Sequence, residues 1–138
     1  MVSAFDTPLC SDRRLHIALT LVMGLGMVSH LALLLKDVKP GGLTVMALIF
    51  PAWVALPWVL IWGCARLARG RRVASWGVAG LALLYLVLGT WAYADALYIH
   101  PDPQGALIFL FVPLLEVLPA LLLMAGLWLS RPRPPAPR

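Results

Sequence analysis

The chain has 138 residues, of which 62% are hydrophobic and only 12% are charged, and its net charge is +5. Soluble globular proteins carry about 25% charged residues, so this composition excludes an ordinary soluble domain. The positive charge sits in short segments between apolar stretches, a placement that indicates membrane topology and argues against a nucleic-acid-binding protein.

Most of the chain belongs to four apolar stretches, which are residues 15–35, 43–65, 73–94 and 105–129. None contains Lys, Arg or Asp, and each is long enough for the roughly 20 residues that a helix needs to cross a bilayer. The sequence therefore predicts an all-α membrane protein, with four transmembrane helices in an antiparallel bundle that forms a single domain over residues 15–130. Residues 1–14 and the Pro/Arg-rich residues 131–138 are predicted to be cytoplasmic tails.

The first stretch follows a charged segment, Ser11–Arg14, much as the apolar part of a secretion signal does. It is longer than the apolar region of a signal peptide, which has about 7–15 residues. We therefore expect it to be a retained first helix.

Basic residues mark one side of the predicted membrane protein. Nine of the eleven Lys and Arg residues lie in the N-terminal tail, between the second and third stretches, or in the C-terminal tail. In a four-span protein these segments share one side, and short basic segments stay in the cytoplasm. We therefore expect a bacterial inner-membrane protein with both termini cytoplasmic and its internal loop close to anionic lipids. The basic, lipid-facing residues of that loop are Arg66, Arg69, Arg71 and Arg72.

Two of the predicted helices contain paired prolines. Pro51 and Pro57 lie in the second stretch, and Pro113 and Pro119 in the fourth. A proline inside a helix kinks it and leaves the carbonyl four residues earlier without its donor. We therefore predict that helices 2 and 4 are kinked. The freed carbonyls need partners from side chains, water or neighbouring helices.

Six aromatic residues fall near the predicted membrane surfaces, where amphipathic rings are enriched. They are Trp62, Trp76 and Trp128 at the inner surface, and Trp91, Tyr93 and Tyr98 at the outer one. An interfacial position accounts for all six without a further function. Trp53, Trp58 and Tyr85 are expected to lie deeper.

Glu116 is the only acidic residue in the four stretches, and it lies near the middle of the last one. Ionisable groups at that depth are rare and often functional. Counting to the middle of each stretch places Tyr85 and Trp53 at the same depth, so the three form a candidate proton- or cation-coupling site. No basic residue shares this depth, and burial then favours the uncharged acid. We expect Glu116 to be largely protonated at neutral pH.

Two interpretations of Glu116 stay open from the sequence. In the first, its carboxyl group couples protons or binds a cation. In the second, it is a hydrogen-bonded packing residue that holds kinked helices in register. A Glu116→Gln variant that kept all activity and all proton-linked behaviour would remove the first interpretation.

A second polar group is expected at the outer surface. Its members, which converge if the outer loop folds back on the first helix, are His30, Asp95, His100 and Asp102. Their spacing matches no established metal or haem pattern, so we predict no metal and no other cofactor. Cys10 and Cys64 form no C-x-x-C pair and fall on the reducing side. Without a P-loop, a nucleophile elbow or paired carboxylates, the sequence predicts no enzyme.

The sequence favours a small accessory or binding component of a membrane complex, which packs against another membrane protein, a second copy of itself or lipid. The alternative is a compact oligomeric transporter coupled to protons through Glu116. Such a transporter would need to dimerise, with Glu116 facing water or the partner chain. Four short helices with one membrane glutamate resemble the small multidrug-resistance exporters in architecture. The exporters carry their essential glutamate in the first helix, which has none here, so no site is transferred.

Overall fold

A computed structural model describes residues 8–35, 46–101 and 107–130. These residues form four α-helices and no strand, with α3 running into a π-helical turn. The helices are α1, Pro8–Leu35; α2, Met46–Leu67; α3, Arg72–Ala94, with the π-helical turn Asp95–Ile99; and α4, Ile108–Leu129. Each is long and apolar enough to cross a membrane. The predicted all-α class and the four membrane-compatible helices are therefore confirmed.

The boundaries differ from the predicted ones by a few residues. The candidate spans are Arg13–Leu35, Ile49–Leu67, Arg72–Ile99 and Ile108–Leu129. The third is longer than predicted because the helical backbone continues through the π-helical turn, where the His100 amide donates to the Asp95 carbonyl at 2.8 Å. The predicted turn at residues 36–42 and the predicted C-terminal tail at residues 131–138 lie outside the described residues.

The prolines lie inside α2 and α4, and the helices continue past them. Donors from neighbouring helices reach α4 beside its two prolines. The Trp53 indole donates to the Leu110 carbonyl at 3.2 Å, and the Tyr85 hydroxyl donates to the Glu116 backbone carbonyl. Each acceptor lies three residues before a proline, next to the carbonyl that the proline deprives of its donor. The kinks themselves stay a prediction.

Contacts between α2 and α4 run in the same direction along both helices. Trp53 bonds to Leu110, and further along both helices the Cys64 thiol bonds to the Ala120 carbonyl at 3.5 Å. The separation in sequence is nearly constant, at 57 and 56 residues, as parallel neighbours require. The α2–α4 and α1–α3 pairs are the two most extensive helix contacts.

Contacts between α3 and α4 run in opposite directions. Arg71 before the start of α3 bonds to Leu127 at the end of α4, whereas Tyr93 at the end of α3 stacks on Phe109 at the start of α4. The Tyr85–Glu116 bond lies between these two contacts. This pairing brings the middle of α3 against the middle of α4, where the acidic residue is.

Buried apolar residues form two clusters at different depths. The larger cluster, around Ile61, Cys64 and Val78, includes Trp58 of α2 and Tyr85 of α3. The smaller one consists of Val54, Tyr93, Phe109 and Val112. Among the described residues, His30 and Glu116 are two of three buried polar ones, and His30 contacts both Trp58 of the larger cluster and Tyr93 of the smaller one.

Candidate functional site

Glu116 lies inside the bundle, with 6% of its surface exposed, and Tyr85 on α3 is 5% exposed. Tyr85 donates its hydroxyl hydrogen to the backbone carbonyl of Glu116 and not to its carboxyl group. The structure therefore brings these two predicted site residues together. The bond holds α4 against α3 beside Pro119 and leaves the carboxyl oxygens for other partners.

Gly89 on α3 is the residue that both Glu116 and His30 approach. A Cβ atom built on Gly89 would lie 2.7 Å from Glu116 Oε1, 2.6 Å from His30 Cε1 and 2.9 Å from His30 Nε2. A real side chain cannot occupy such a position without moving these groups. Because residue 89 is glycine, the carboxyl group of α4 and the imidazole of α1 approach the same point on α3.

His30 is fully buried, and its hydrogen bonding fixes the form of its ring. The indole Nε1 of Trp58 lies 3.3 Å from His30 Nδ1. An indole nitrogen can only donate, so Nδ1 accepts and carries no hydrogen. The hydrogen of the neutral imidazole then sits on Nε2, the nitrogen near Gly89 and Glu116.

Aromatic rings enclose His30. Trp58 meets it edge to face with ring centroids 5.3 Å apart, and Tyr93 does so at 5.0 Å. The ring of Trp58 also meets that of Tyr85, at 6.4 Å. We call the group formed by Glu116, His30, Tyr85, Trp58 and Tyr93 around Gly89 the polar cluster.

Several buried polar atoms of this region have no hydrogen-bond partner among the described residues. They are both carboxyl oxygens of Glu116, Nε2 of His30, the hydroxyl of Tyr93 and the hydroxyl of Thr90. An unpaired buried polar atom costs about 1–3 kcal/mol. The cluster therefore holds an acid and a hydrogen-bond donor that both lie against Gly89 without a partner among the described residues, which is an arrangement suited to holding or exchanging a proton.

Trp53 was expected beside Glu116 and lies elsewhere. It is half-buried, and its indole bonds to Leu110 of α4. Trp58, 2% exposed, is the tryptophan that belongs to the polar cluster. Because Leu110 precedes Glu116 by nearly two helical turns on α4, counting residues gave neither the level of Trp53 nor the side of α2 on which it lies.

His30 was expected in an outer polar group, and the structure places it in the polar cluster instead. Asp95 and His100 do come together, with His100 Nδ1 3.0 Å from Asp95 Oδ1. The side chain of His100 is 78% exposed and that of Asp95 is 33% exposed. Asp102 lies outside the described residues. Over residues 8–35, 46–101 and 107–130, no three His, Cys, Asp or Glu side chains are grouped as metal ligands.

Tyr93 also differs from its predicted interfacial position. It is completely buried, and it stacks on Phe109 with ring centroids 4.6 Å apart. Residues 85, 89 and 93 follow one another at four-residue intervals and so share one face of a helix. That face is the inner one. The remaining aromatic residues assigned to the membrane surfaces are all exposed: Trp62, Trp76, Trp91, Tyr98 and Trp128.

Arg71 connects the basic loop to the end of α4. Its Nη1 donates to the Leu127 carbonyl at 3.3 Å, and its Nη2 donates to the Ser130 hydroxyl at 2.9 Å. The last carbonyls of a helix lack donors within the helix and carry partial negative charge, so a guanidinium group suits this position. Arg71 therefore holds the start of α3 and the end of α4 together.

The other three basic residues of the loop, Arg66, Arg69 and Arg72, are exposed. Arg66 covers the ring of Trp62, with Cζ 3.9 Å from the ring centroid. Contact of these residues with lipid headgroups stays a prediction.

We expect Arg71→Ala to lower the free energy of unfolding by about 0.5–1 kcal/mol, because the end of α4 loses two hydrogen bonds and a favourable charge. Unfolding in mixed detergent micelles, followed by circular dichroism, measures this change. Arg69→Ala is the matched control, since it removes the same charge from the same loop at an exposed position. Equal losses in the two variants would show that charge alone, and not the bonds to α4, is responsible.

Comparisons of the chain with protein-family models, with curated proteins and with solved structures give no match. The geometry of the polar cluster and of the helix surfaces is therefore the basis for assigning a function.

Proposed function

We propose that this protein is a small multi-pass membrane protein that acts as an accessory or binding component of a membrane complex, without catalytic chemistry of its own. The observation that supports this proposal is the direction in which the polar groups face. Glu116 is enclosed by helices of its own chain, whereas the outward side chains of α4 are long and apolar. Among them Leu115, Leu118 and Leu122 are 72%, 62% and 66% exposed.

An outer surface of this kind suits lipid tails or the helix of another membrane protein. In a bilayer, helices associate through close packing and not through burial from water, so an apolar surface serves either neighbour. The acid is not available on it to line a pathway shared between two chains.

Purification in mild detergent, followed by identification of co-purifying proteins and by measurement of the mass of the intact particle, tests this proposal. We expect a larger membrane protein in stoichiometric amount. A particle that contains only this chain, with no other membrane protein bound, would contradict the accessory role.

We further propose that the protein lies in the bacterial inner membrane with both termini in the cytoplasm. The support is the arginine-rich loop at residues 66–72, since short basic loops stay on the cytoplasmic side. Single cysteines replacing Arg69 and Gln104 give the test. A membrane-impermeant thiol reagent added to intact cells should label position 104 and not position 69, and the reverse pattern would overturn the orientation.

A second candidate function is proton-coupled transport by an oligomer of this chain, with Glu116 as the coupling acid. The observation that favours it is the absence of any hydrogen-bond partner for the Glu116 carboxyl oxygens within the described residues. Uptake into proteoliposomes that carry a pH gradient tests it. Glu116→Gln should abolish gradient-driven uptake, and a variant with full uptake would remove this candidate.

A further inference from the structure

We propose that Glu116, His30 and Gly89 form a proton-binding site built around one bridging water molecule, in which Glu116 exchanges the proton and His30 serves as a fixed hydrogen-bond donor. The site belongs to the interior of a single chain. It is independent of which of the two functions above holds, because a buried acid of this kind can regulate an accessory protein as well as drive a transporter.

The distances define the size of the site. His30 Nε2 and Glu116 Oε1 are 2.9 Å and 2.7 Å from the same point, the Cβ position of Gly89. The two atoms are therefore separated by less than about 6 Å, yet neither has a hydrogen-bond partner within the described residues. Two hydrogen bonds of about 2.8 Å each bridge such a gap through one water molecule. Buried waters occupy sites of this kind, with two to four polar partners.

The available partners match the hydrogen-bonding capacity of one water. The Nε2 hydrogen of His30 supplies a donor, and the Glu116 carboxyl group supplies acceptors. The hydroxyl of Tyr93, buried and without a partner among the described residues, lies one turn after Gly89 on the same helix. Tyr93 contacts His30 directly. A metal ion does not fit this set, because Nε2 carries a hydrogen and has no lone pair to give.

Trp58 determines which group takes up the proton. A second hydrogen on His30 would have to go on Nδ1, which faces the N–H of Trp58 at 3.3 Å. Two donors would then oppose each other, and indole offers no lone pair in exchange. The imidazole thus stays neutral in both states. When Glu116 is ionised, the water accepts a hydrogen bond from Nε2 and donates one to the carboxylate. When Glu116 is protonated, the water accepts a hydrogen bond from Nε2 and another from the acid.

The Arg residues that the structure describes lie at positions 13–14 and 66–72, near helix ends, so the described parts of the neighbouring helices bring no positive charge to this site. The titratable groups that surround it are His30 on α1, Cys64 on α2, and Tyr85 and Tyr93 on α3. None of them is cationic in the arrangement described above. An ionised Glu116 therefore has only hydrogen bonds to stabilise its negative charge. That charge is neutralised when the carboxylate binds a proton.

Glu116 is the only glutamate in the whole chain, which makes its carboxyl group directly observable. Protein labelled with glutamate carrying ¹³C at the side-chain carboxyl, reconstituted in lipid bilayers, should give one signal from this carbon. We expect that signal to move reversibly between the positions of the protonated and ionised acid as the buffer is taken from about pH 4 to pH 10. We also expect a cross-peak between this carbon and water protons. A signal that stays at one position, or the lack of a water cross-peak, would overturn the proposal.

Gly89→Ala tests the geometry, because the added methyl group would lie within 3 Å of both Glu116 Oε1 and His30 Nε2 and would push them out of the positions from which they share a water. The cross-peak to water should disappear in this variant. Gly80→Ala is the matched control on the same helix, since a Cβ there meets nothing within 4 Å, and it should retain the cross-peak. Loss in both variants, or in neither, would contradict the assignment of the water to Gly89.

If Gly89→Ala does not fold, the histidine ring gives a second measurement on the native protein. With ¹⁵N-labelled histidine, and with the His30 signals assigned by comparison with His30→Gln, Nδ1 should be unprotonated and Nε2 protonated at both ends of the titration. A ring that takes up a second proton would show that His30, and not Glu116, is the exchanging group.

Discussion

Gly26→Ala is expected to lower the free energy of unfolding by about 1–3 kcal/mol, the usual cost of overpacking a core. A Cβ at Gly26 would lie far inside van der Waals contact with the six-membered ring of Trp58. That ring cannot move aside freely, because it is 2% exposed and its indole nitrogen is bonded to His30. Either α1 and α2 move apart or the Trp58 indole loses its hydrogen bond to His30. Both outcomes weaken the polar cluster.

Gly24→Ala is the control for this prediction. Gly24 lies two residues earlier on α1, and a Cβ there meets nothing within 4 Å. The two substitutions are chemically identical, so they share any change in intrinsic helix propensity. We expect unfolding in mixed detergent micelles to show a loss for Gly26→Ala and no loss for Gly24→Ala. Similar values for both variants would mean that the contact between Gly26 and Trp58 contributes nothing to stability.

The sequence was sufficient to predict the helices and to place Glu116 and Tyr85 at one level, but not to place His30, Tyr93 and Trp53 relative to them. Length and hydropathy indicate the level of a residue along a helix, and on that basis Glu116 and Tyr85 were expected at one level, where the structure brings them into contact. In a membrane protein both the lipid-facing and the buried sides of a helix are apolar. Hydrophobic periodicity, which identifies the buried side in soluble proteins, therefore could not separate Trp53 from Trp58.

A different signal does identify the inward side of these helices. Gly26 and His30 lie four residues apart on α1, as do Gly89 and Tyr93 on α3, and residues at this spacing share a face. Glycines at such positions admit side chains from neighbouring helices. A polar or aromatic residue one turn after a glycine was thus the pattern that would have placed His30 and Tyr93 in the interior. The outer location predicted for them used depth alone.

Glu116→Met is expected to raise the free energy of unfolding by about 1–2 kcal/mol at neutral pH. Methionine has a similar length and a flexible apolar side chain that fills irregular space. The substitution removes two buried oxygens that have no protein partner within the described residues. The proposed water serves one of them, and the other stays unpaired at a cost of about 1–3 kcal/mol. The same detergent unfolding experiment measures this change in the free energy of unfolding. Its sign decides whether Glu116 is a packing residue or a proton-exchanging group.

Tyr85→Phe gives the comparison that makes this sign informative. It removes the hydroxyl that donates to the Glu116 backbone carbonyl, and we expect a loss of about 0.6 kcal/mol, the average for hydrogen bonds between membrane helices. If Glu116 were a packing residue, its replacement would also destabilise the bundle. The free energy of unfolding of Glu116→Met would then be lower than that of the native protein, as it is expected to be for Tyr85→Phe. A more stable Glu116→Met protein would instead show that the fold tolerates the acid at a cost. An acid kept at a cost to stability, beside a histidine held in one tautomer, is what a proton-exchanging site requires.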